Sequence, residues 1–93
     1  MVDYFQLHPQ YLSVYFGSTT LTQATLDCEE TKWNPNDVIF YSLSANNGSD
    51  WEEVIKGVAH TFIKTGSNLL VRIVFAGNGA RDTYIENLRV VYS

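Results

Sequence analysis

Alternation of apolar and polar residues is the main regularity of this chain, and it predicts β-strands. The clearest segment spans residues 68–76, where both alternating sets of side chains are largely apolar. A strand of this kind is expected in the centre of a sheet, with one face buried and the other partly covered. Residues 38–43 and 83–92 show the same period of two and predict two further strands.

Weaker patterns add four candidate strands, at residues 4–7, 12–16, 21–28 and 58–63. In the third of these, Ala24, Leu26 and Cys28 share one face. Residues 51–55 fit either a helical turn capped by Asp50 or a strand, and their short length favours the strand.

Turn residues separate these segments about every ten residues, a spacing typical of antiparallel sandwiches and barrels. The pairs Asn47-Gly48 and Asn78-Gly79 suit the positive φ angles of tight hairpins. No segment has the pattern of a long helix. We therefore predict an all-β fold, a single antiparallel, jelly-roll-like β-sandwich of about seven or eight strands, with residues 1–93 as one domain.

Composition narrows the classes of function. The 93 residues include 14% aromatic residues, which favour strands, and a net charge of −4, which argues against nucleic acid and anionic membrane surfaces as partners. The single cysteine cannot form an internal disulfide, so we expect synthesis in the cytoplasm. The first residues lack the pattern of a signal peptide, and no apolar run is long enough to span a membrane as a helix.

Catalytic residues are not predicted. His8 and His60 have no acidic or hydroxyl partner recognisable from their spacing. Cys28 precedes two glutamates, whose charge raises a thiol pKa, so we expect a buried structural thiol. The acidic pairs 29–30 and 52–53 lie in strand patterns, where neighbouring side chains point to opposite faces, and we interpret both pairs as solvated hairpin flanks.

Metal ions and cofactors are likewise not predicted. Asn46, Asp50 and Glu52 place oxygen atoms near one turn, but the spaced acidic loop of a calcium site is absent. One cysteine and two histidines are too few for a zinc or haem site.

The most distinctive local motif is a predicted hairpin staple, in which small polar residues precede a tryptophan. Its members are Ser44, Asn46, Gly48, Asp50 and Trp51. The motif resembles the Asp-box hairpin of sialidase-type propellers, with Asn46 in place of aspartate and Asp50 in place of threonine. The resemblance implies a structural turn in which the Asn46 side chain accepts turn amides and Trp51 folds back over the hairpin. A propeller would need one such unit in every blade, and this chain has a single copy.

Aromatic residues are the remaining candidates for function. We predict Phe40, Phe62 and Phe75 in the core. A ligand or partner surface is predicted from the other aromatic residues: Trp33, Tyr11, Tyr15, Tyr41 and Tyr84. Exposed Trp and Tyr side chains suit stacking on sugar rings or anchoring a protein interface, and Trp33 could instead only cover the end of the sandwich.

A longer resemblance covers residues 39–92. Its features are the strand at 40–44, the Asn-Gly turn before Trp51, the segment 66–73 and the closing strand at 84–92. This order resembles a small β-sandwich module, jelly-roll or galactose-binding-like, of bacteriophage virion proteins, especially tail and tail-fibre components.

The resemblance implies a non-enzymatic structural protein of the virion: a tail, tail-fibre or baseplate module, or a capsid decoration protein. The expected partners are other virion proteins and copies of the chain itself, in a homo-oligomer such as a trimer. The two-faced strands at 38–43 and 68–76 fit this expectation, because a small sheet with two apolar faces gains from self-association. The alternative is a carbohydrate-binding module that recognises host or polysaccharide glycans through exposed aromatic residues.

Overall fold

The computed structural model describes residues 10–32, 36–76 and 84–93, and only the backbone of residues 10–13. These residues form five strands and contain no helix. The strands are β1 (Gln10–Thr31), β2 (Val38–Ser44), β3 (Glu52–Val54), β4 (His60–Ala76) and β5 (Tyr84–Tyr92). All pairings are antiparallel, in a single sheet of order β3-β2-β4-β1-β5. The predicted all-β, antiparallel fold is confirmed, and the ambiguous segment at 51–55 contains a strand.

Five strands, and not seven or eight, form in the described part of the chain, because β1 and β4 are long and bent. β1 includes the candidates at 12–16 and 21–28, and β4 joins 58–63 to 68–76 from His60 onward. Between two successive pairs, β1 advances five residues from Phe16 to Leu21, while β4 advances two from Asn68 to Gly66. Bulges of this kind bend a strand without ending it. Gly17 and Gly66, a residue type that often ends strands, therefore lie inside β1 and β4. The candidate strand at 4–7 lies outside the described residues.

Gly66 lies at a tight approach between β4 and the turn after β2. A Cβ atom added to Gly66 would overlap the backbone carbonyl of Ala45. The amide of Asn68 donates to the same carbonyl at 3.1 Å, and the amide of Asn47 donates to the Asn68 carbonyl at 3.1 Å. The bend in β4 thus requires a residue without a side chain, which explains a glycine in the middle of a strand.

The core lies on the inner face of this bent sheet. Leu26 of β1, Leu43 of β2 and Leu69 of β4 are fully buried in one cluster, although β4 separates β1 from β2 in the sheet. The sheet curls so that β1 and β2, which are not neighbours in it, meet on the core side: the Cys28 sulfur of β1 lies 3.2 Å from the Tyr41 hydroxyl of β2. The amide of Gly57, beyond β3, also donates to the Leu26 carbonyl at 2.8 Å.

A bulge in β5 changes which of its side chains face the core. From the pair with Asp27 to the pair with Glu29, β5 advances three residues against two in β1, and Asn87 takes a φ of 55°. Ile85 is buried, and Leu88 and Val90, beyond the bulge, also pack against the core. An unbroken alternation along β5 would place Ile85 on the face opposite Leu88 and Val90. The bulge shifts the period by one residue.

Candidate functional site

The turn between β2 and β3 is held by hydrogen bonds among its own side chains. Ser44 Oγ accepts from the amide of Gly48 at 2.8 Å and donates to Asn46 Oδ1 at 2.9 Å. Asn46 Oδ1 also accepts from the amide of Asp50 at 2.9 Å, and Asn46 Nδ2 donates to Asp50 Oδ2 at 2.8 Å. Asn47 and Gly48 have φ angles of 61° and 87°, the left-handed region in which Asn and Gly are favoured.

Trp51 packs on this turn, and the guanidinium of Arg72 lies over its ring. The position that a Cβ of Gly48 would occupy is 3.7 Å from Trp51 Cζ2. The Arg72 guanidinium carbon lies 4.5 Å from the centroid of the Trp51 ring, a distance typical of a cation–π contact. The predicted staple residues are therefore in mutual contact, and they fix the position of Arg72 on β4.

Exposed apolar side chains lie on the opposite face of β2 from the core. Val38 and Phe40 are 45% and 43% exposed, and Phe40 pairs in register with the half-buried Val74 of β4. The prediction that Phe40 belongs to the core is wrong, whereas Phe62 and Phe75 are buried as predicted. Alternation along β2 shows two faces but does not show which of them is inside.

One row of polar side chains borders these apolar residues. Ser42 pairs in register with Glu53 of β3 on one side and with Arg72 of β4 on the other. Glu53 is exposed, and Ser42 and Arg72 are half-buried. We call the apolar residues Val38, Phe40 and Val74, together with the row Glu53, Ser42 and Arg72, the outer patch.

The aromatic residues predicted to form a surface are not brought together. Tyr41 is only 4% exposed and lies in the core, so its predicted exposure is wrong. Tyr15 is half-buried, with its ring centroid 5.1 Å from that of Tyr92, and Tyr84 is half-buried on β5. Tyr11 pairs through its backbone with Arg72, but its side chain lies outside the described part, as does all of Trp33.

Tyr41 forms a chain of polar contacts at the edge of the core. Its hydroxyl donates to Glu30 Oε2 at 2.5 Å and contacts the sulfur of Cys28. The amines of Lys32 and Lys56 each lie 4.0 Å from the same carboxylate. Burial raises the pKa of Cys28, and the charge of Glu30 adds to this, against the opposing hydrogen bond with Tyr41. Burial also raises the pKa of Tyr41, so both groups stay protonated at neutral pH.

A carboxylate–histidine contact was not predicted from the sequence. Glu52 Oε1 lies 2.7 Å from His60 Nε2, and the Glu52 carboxylate accepts from the amides of Ile63 at 3.0 Å and Lys64 at 2.9 Å. Burial favours a higher pKa for Glu52, but these hydrogen bonds outweigh it and lower the pKa. The interpretation of Glu52 as a solvated hairpin flank is therefore wrong. No sequence signal indicated the contact, because it depends on where the tertiary fold places β3 relative to the first residues of β4.

The described residues contain no group of three or more His, Cys, Asp or Glu side chains that could hold a metal ion. Within the same residues, no helix has the length and apolar character to cross a membrane. Comparisons with models of protein families, with curated proteins and with solved structures found no match to this chain. The candidate site is therefore defined by geometry alone, and it is the outer patch.

Proposed function

We propose that this chain is a non-enzymatic structural protein of a bacteriophage virion, acting through self-assembly and contacts with other virion proteins. It would serve as a tail, tail-fibre or baseplate module, or as a capsid decoration protein. The observation that carries the self-assembly is the outer patch, where Val38 and Phe40 expose apolar surface on a hydrogen-bonded sheet. Exposed aromatic side chains on a rigid support are typical anchors of protein interfaces. The virion setting is supported by the resemblance of residues 39–92.

We further propose that the curled sheet belongs to a jelly-roll-like sandwich. The supporting feature is the single core enclosed by both halves of the bent strands β1 and β4. In that arrangement the inner face is used by the fold, and the outer face of β2 and β4 is left for partners.

Carbohydrate binding is the weaker alternative. A sugar-stacking platform needs open aromatic rings, and among the predicted candidates Tyr41 lies inside the core. Trp51 already has Arg72 over its ring. A glycan array on the purified chain tests this alternative, because only a carbohydrate-binding module is expected to bind an immobilised glycan. If Phe40→Ser leaves such binding unchanged, the glycan site lies outside the outer patch.

Two measurements test the proposed function. Sedimentation velocity on the purified chain from about 1 to 100 μM, the range of modest protein affinities, is expected to show concentration-dependent oligomers. Mass spectrometry of purified phage particles from the strain that carries the gene is expected to detect the chain as a stoichiometric component. A strict monomer that is also absent from particles would contradict the proposal.

A further inference from the structure

The row across the outer patch carries opposite charges at its two ends. Glu53 on β3 and Arg72 on β4 flank Ser42 of the intervening β2. Two strand spacings of about 4.8 Å separate their backbones by roughly 10 Å. In the part of the chain that the structure describes, neither side chain has an ion-pair partner within 4.0 Å. Glu53 and Arg72 are therefore opposite charges in one row that do not form an ion pair with each other in the structure.

Arg72 is positioned by the Trp51 ring. Its guanidinium lies over the Trp51 ring, and Trp51 packs on the hydrogen-bonded turn after β2. The N–H donors of a guanidinium lie in its plane, so stacking on a ring leaves them able to meet a carboxylate at the edge. The position of Arg72 is thus set before any partner arrives, which lowers the entropy cost of the contact.

We propose that the outer patch is the interface of a symmetric dimer, in which two copies pack face to face about a two-fold axis parallel to β2. This inference rests on the self-assembly in the proposed function and names its surface. Rotation about that axis brings Val38 and Phe40 against the same residues of the second copy. It also exchanges the two ends of the row, so that Glu53 of each copy meets Arg72 of the other.

The charges of Glu53 and Arg72 favour this orientation over a face-to-face dimer whose two-fold axis runs across the strands. A two-fold axis that runs across the strands along this row would place Glu53 against Glu53 and Arg72 against Arg72, and like charges facing each other disfavour association. The parallel axis gives two opposite-charge contacts with the apolar side chains between them. An apolar centre with a polar border is the usual anatomy of a protein interface.

Charge exchange provides the sharpest test. Glu53→Arg alone and Arg72→Glu alone each place like charges at both contacts, and each is expected to raise the dimer dissociation constant at least about tenfold. A one-to-one mixture of the two variants should restore association as a heterodimer, detected by native mass spectrometry. Circular dichroism verifies that each variant is folded. A folded pair that fails to associate preferentially with each other overturns the proposal.

A second pair of variants tests the apolar centre without using Arg72. Phe40→Ser is expected to raise the dissociation constant by about 30-fold or more, the effect of a central interface residue. Ile63→Ser is the matched control, because Ile63 is 82% exposed on β4 but lies outside the outer patch. The control should leave sedimentation unchanged. Equal effects of the two variants, or none, would contradict the assignment of the interface.

The outcomes separate this inference from the proposed function. Self-association that persists in Phe40→Ser and in both charge variants overturns the outer patch as the interface and leaves the proposed self-assembly standing. A trimer in place of a dimer overturns the two-fold axis. A monomer at all concentrations overturns the dimer and also contradicts the proposed self-assembly.

Discussion

The Tyr41 hydroxyl lies between the Cys28 thiol and the Glu30 carboxylate, at the edge of an otherwise apolar core. Its hydrogen bond to the carboxylate is charge-assisted, a type stronger than bonds between neutral groups. The aromatic ring also fills space beside the buried side chains of β1. At the scale of single residues, Tyr41 therefore combines packing with a polar contact, and its role is structural.

We expect Tyr41→Phe to lower the free energy of unfolding by about 1 to 3 kcal/mol, because the ring is kept while the Glu30 carboxylate and the Cys28 thiol lose a buried partner. Urea denaturation followed by circular dichroism measures the change. Tyr84→Phe, at a half-buried tyrosine on β5, is the control and should change stability by less than about 0.5 kcal/mol. Equal stability of Tyr41→Phe and the unaltered chain would show that the hydroxyl contributes nothing.

The two longest strands, β1 and β4, are both bent. β4 needs a glycine where it passes the Ala45 carbonyl, and we expect Gly66→Ala to lower the free energy of unfolding by about 1 to 3 kcal/mol through overlap with that backbone. Gly17→Ala is the matched control in β1, because the three atoms nearest to its new methyl group all belong to the end of the Tyr15 side chain and none to the backbone. Thermal unfolding of both variants checks this, and a larger loss for Gly17→Ala would contradict the assignment of the tight approach.

The short edge strand β3 is attached to β4 through the carboxylate of Glu52, and this attachment depends on pH. The pKa of Glu52 is lower in the folded chain than its ordinary value of 4.5. The folded chain therefore binds the proton of Glu52 less readily than the unfolded chain does. At a pH above 4.5 the ionised carboxylate stabilises the fold. The stabilisation is lost as the pH falls through the folded pKa.

Glu52→Gln is therefore expected to lower the free energy of unfolding at pH 7 by about 1 to 3 kcal/mol, the contribution of hydrogen bonds to a charged acceptor. The difference from the unaltered chain should shrink as the pH falls below 4.5 and disappear below the folded pKa. Urea denaturation across this range measures it. Glu86→Gln, at an exposed glutamate of β5, should show no such pH-dependent difference. A Glu52→Gln deficit that is constant with pH would contradict the carboxylate's role.

At the scale of the whole molecule, the single curled sheet has two faces. The inner face forms the core, and the outer face carries exposed apolar side chains. The net charge of −4 is modest for 93 residues, so electrostatic repulsion between copies does not oppose a dimer strongly. Specific contacts such as the Glu53–Arg72 pair can then set how two copies meet. The proposed function therefore belongs to the outer face of the sheet, which takes no part in the core.

Several features of the fold could be read from the sequence alone. Alternation identified the segments that form β2, β5 and the second half of β4, and the lack of a helical period excluded helices. The shared inner face of Ala24, Leu26 and Cys28 was also predicted correctly. These features depend on local preferences, since the period of two follows from the geometry of a single strand.

Tertiary structure alone decided the rest. A period of two does not show which face of a strand is inside. The predicted positions of Tyr41 and Phe40 were therefore reversed: Tyr41 is in the core, and Phe40 is exposed. A bulge also shifts the phase of this period by one residue, so an unbroken alternation puts Ile85 and Leu88 of β5 on opposite faces, although both pack against the core. The Glu52–His60 contact and the row from Glu53 to Arg72 join separate strands. Such contacts exist only once the pairing register is set, and register depends on the packing of the whole core.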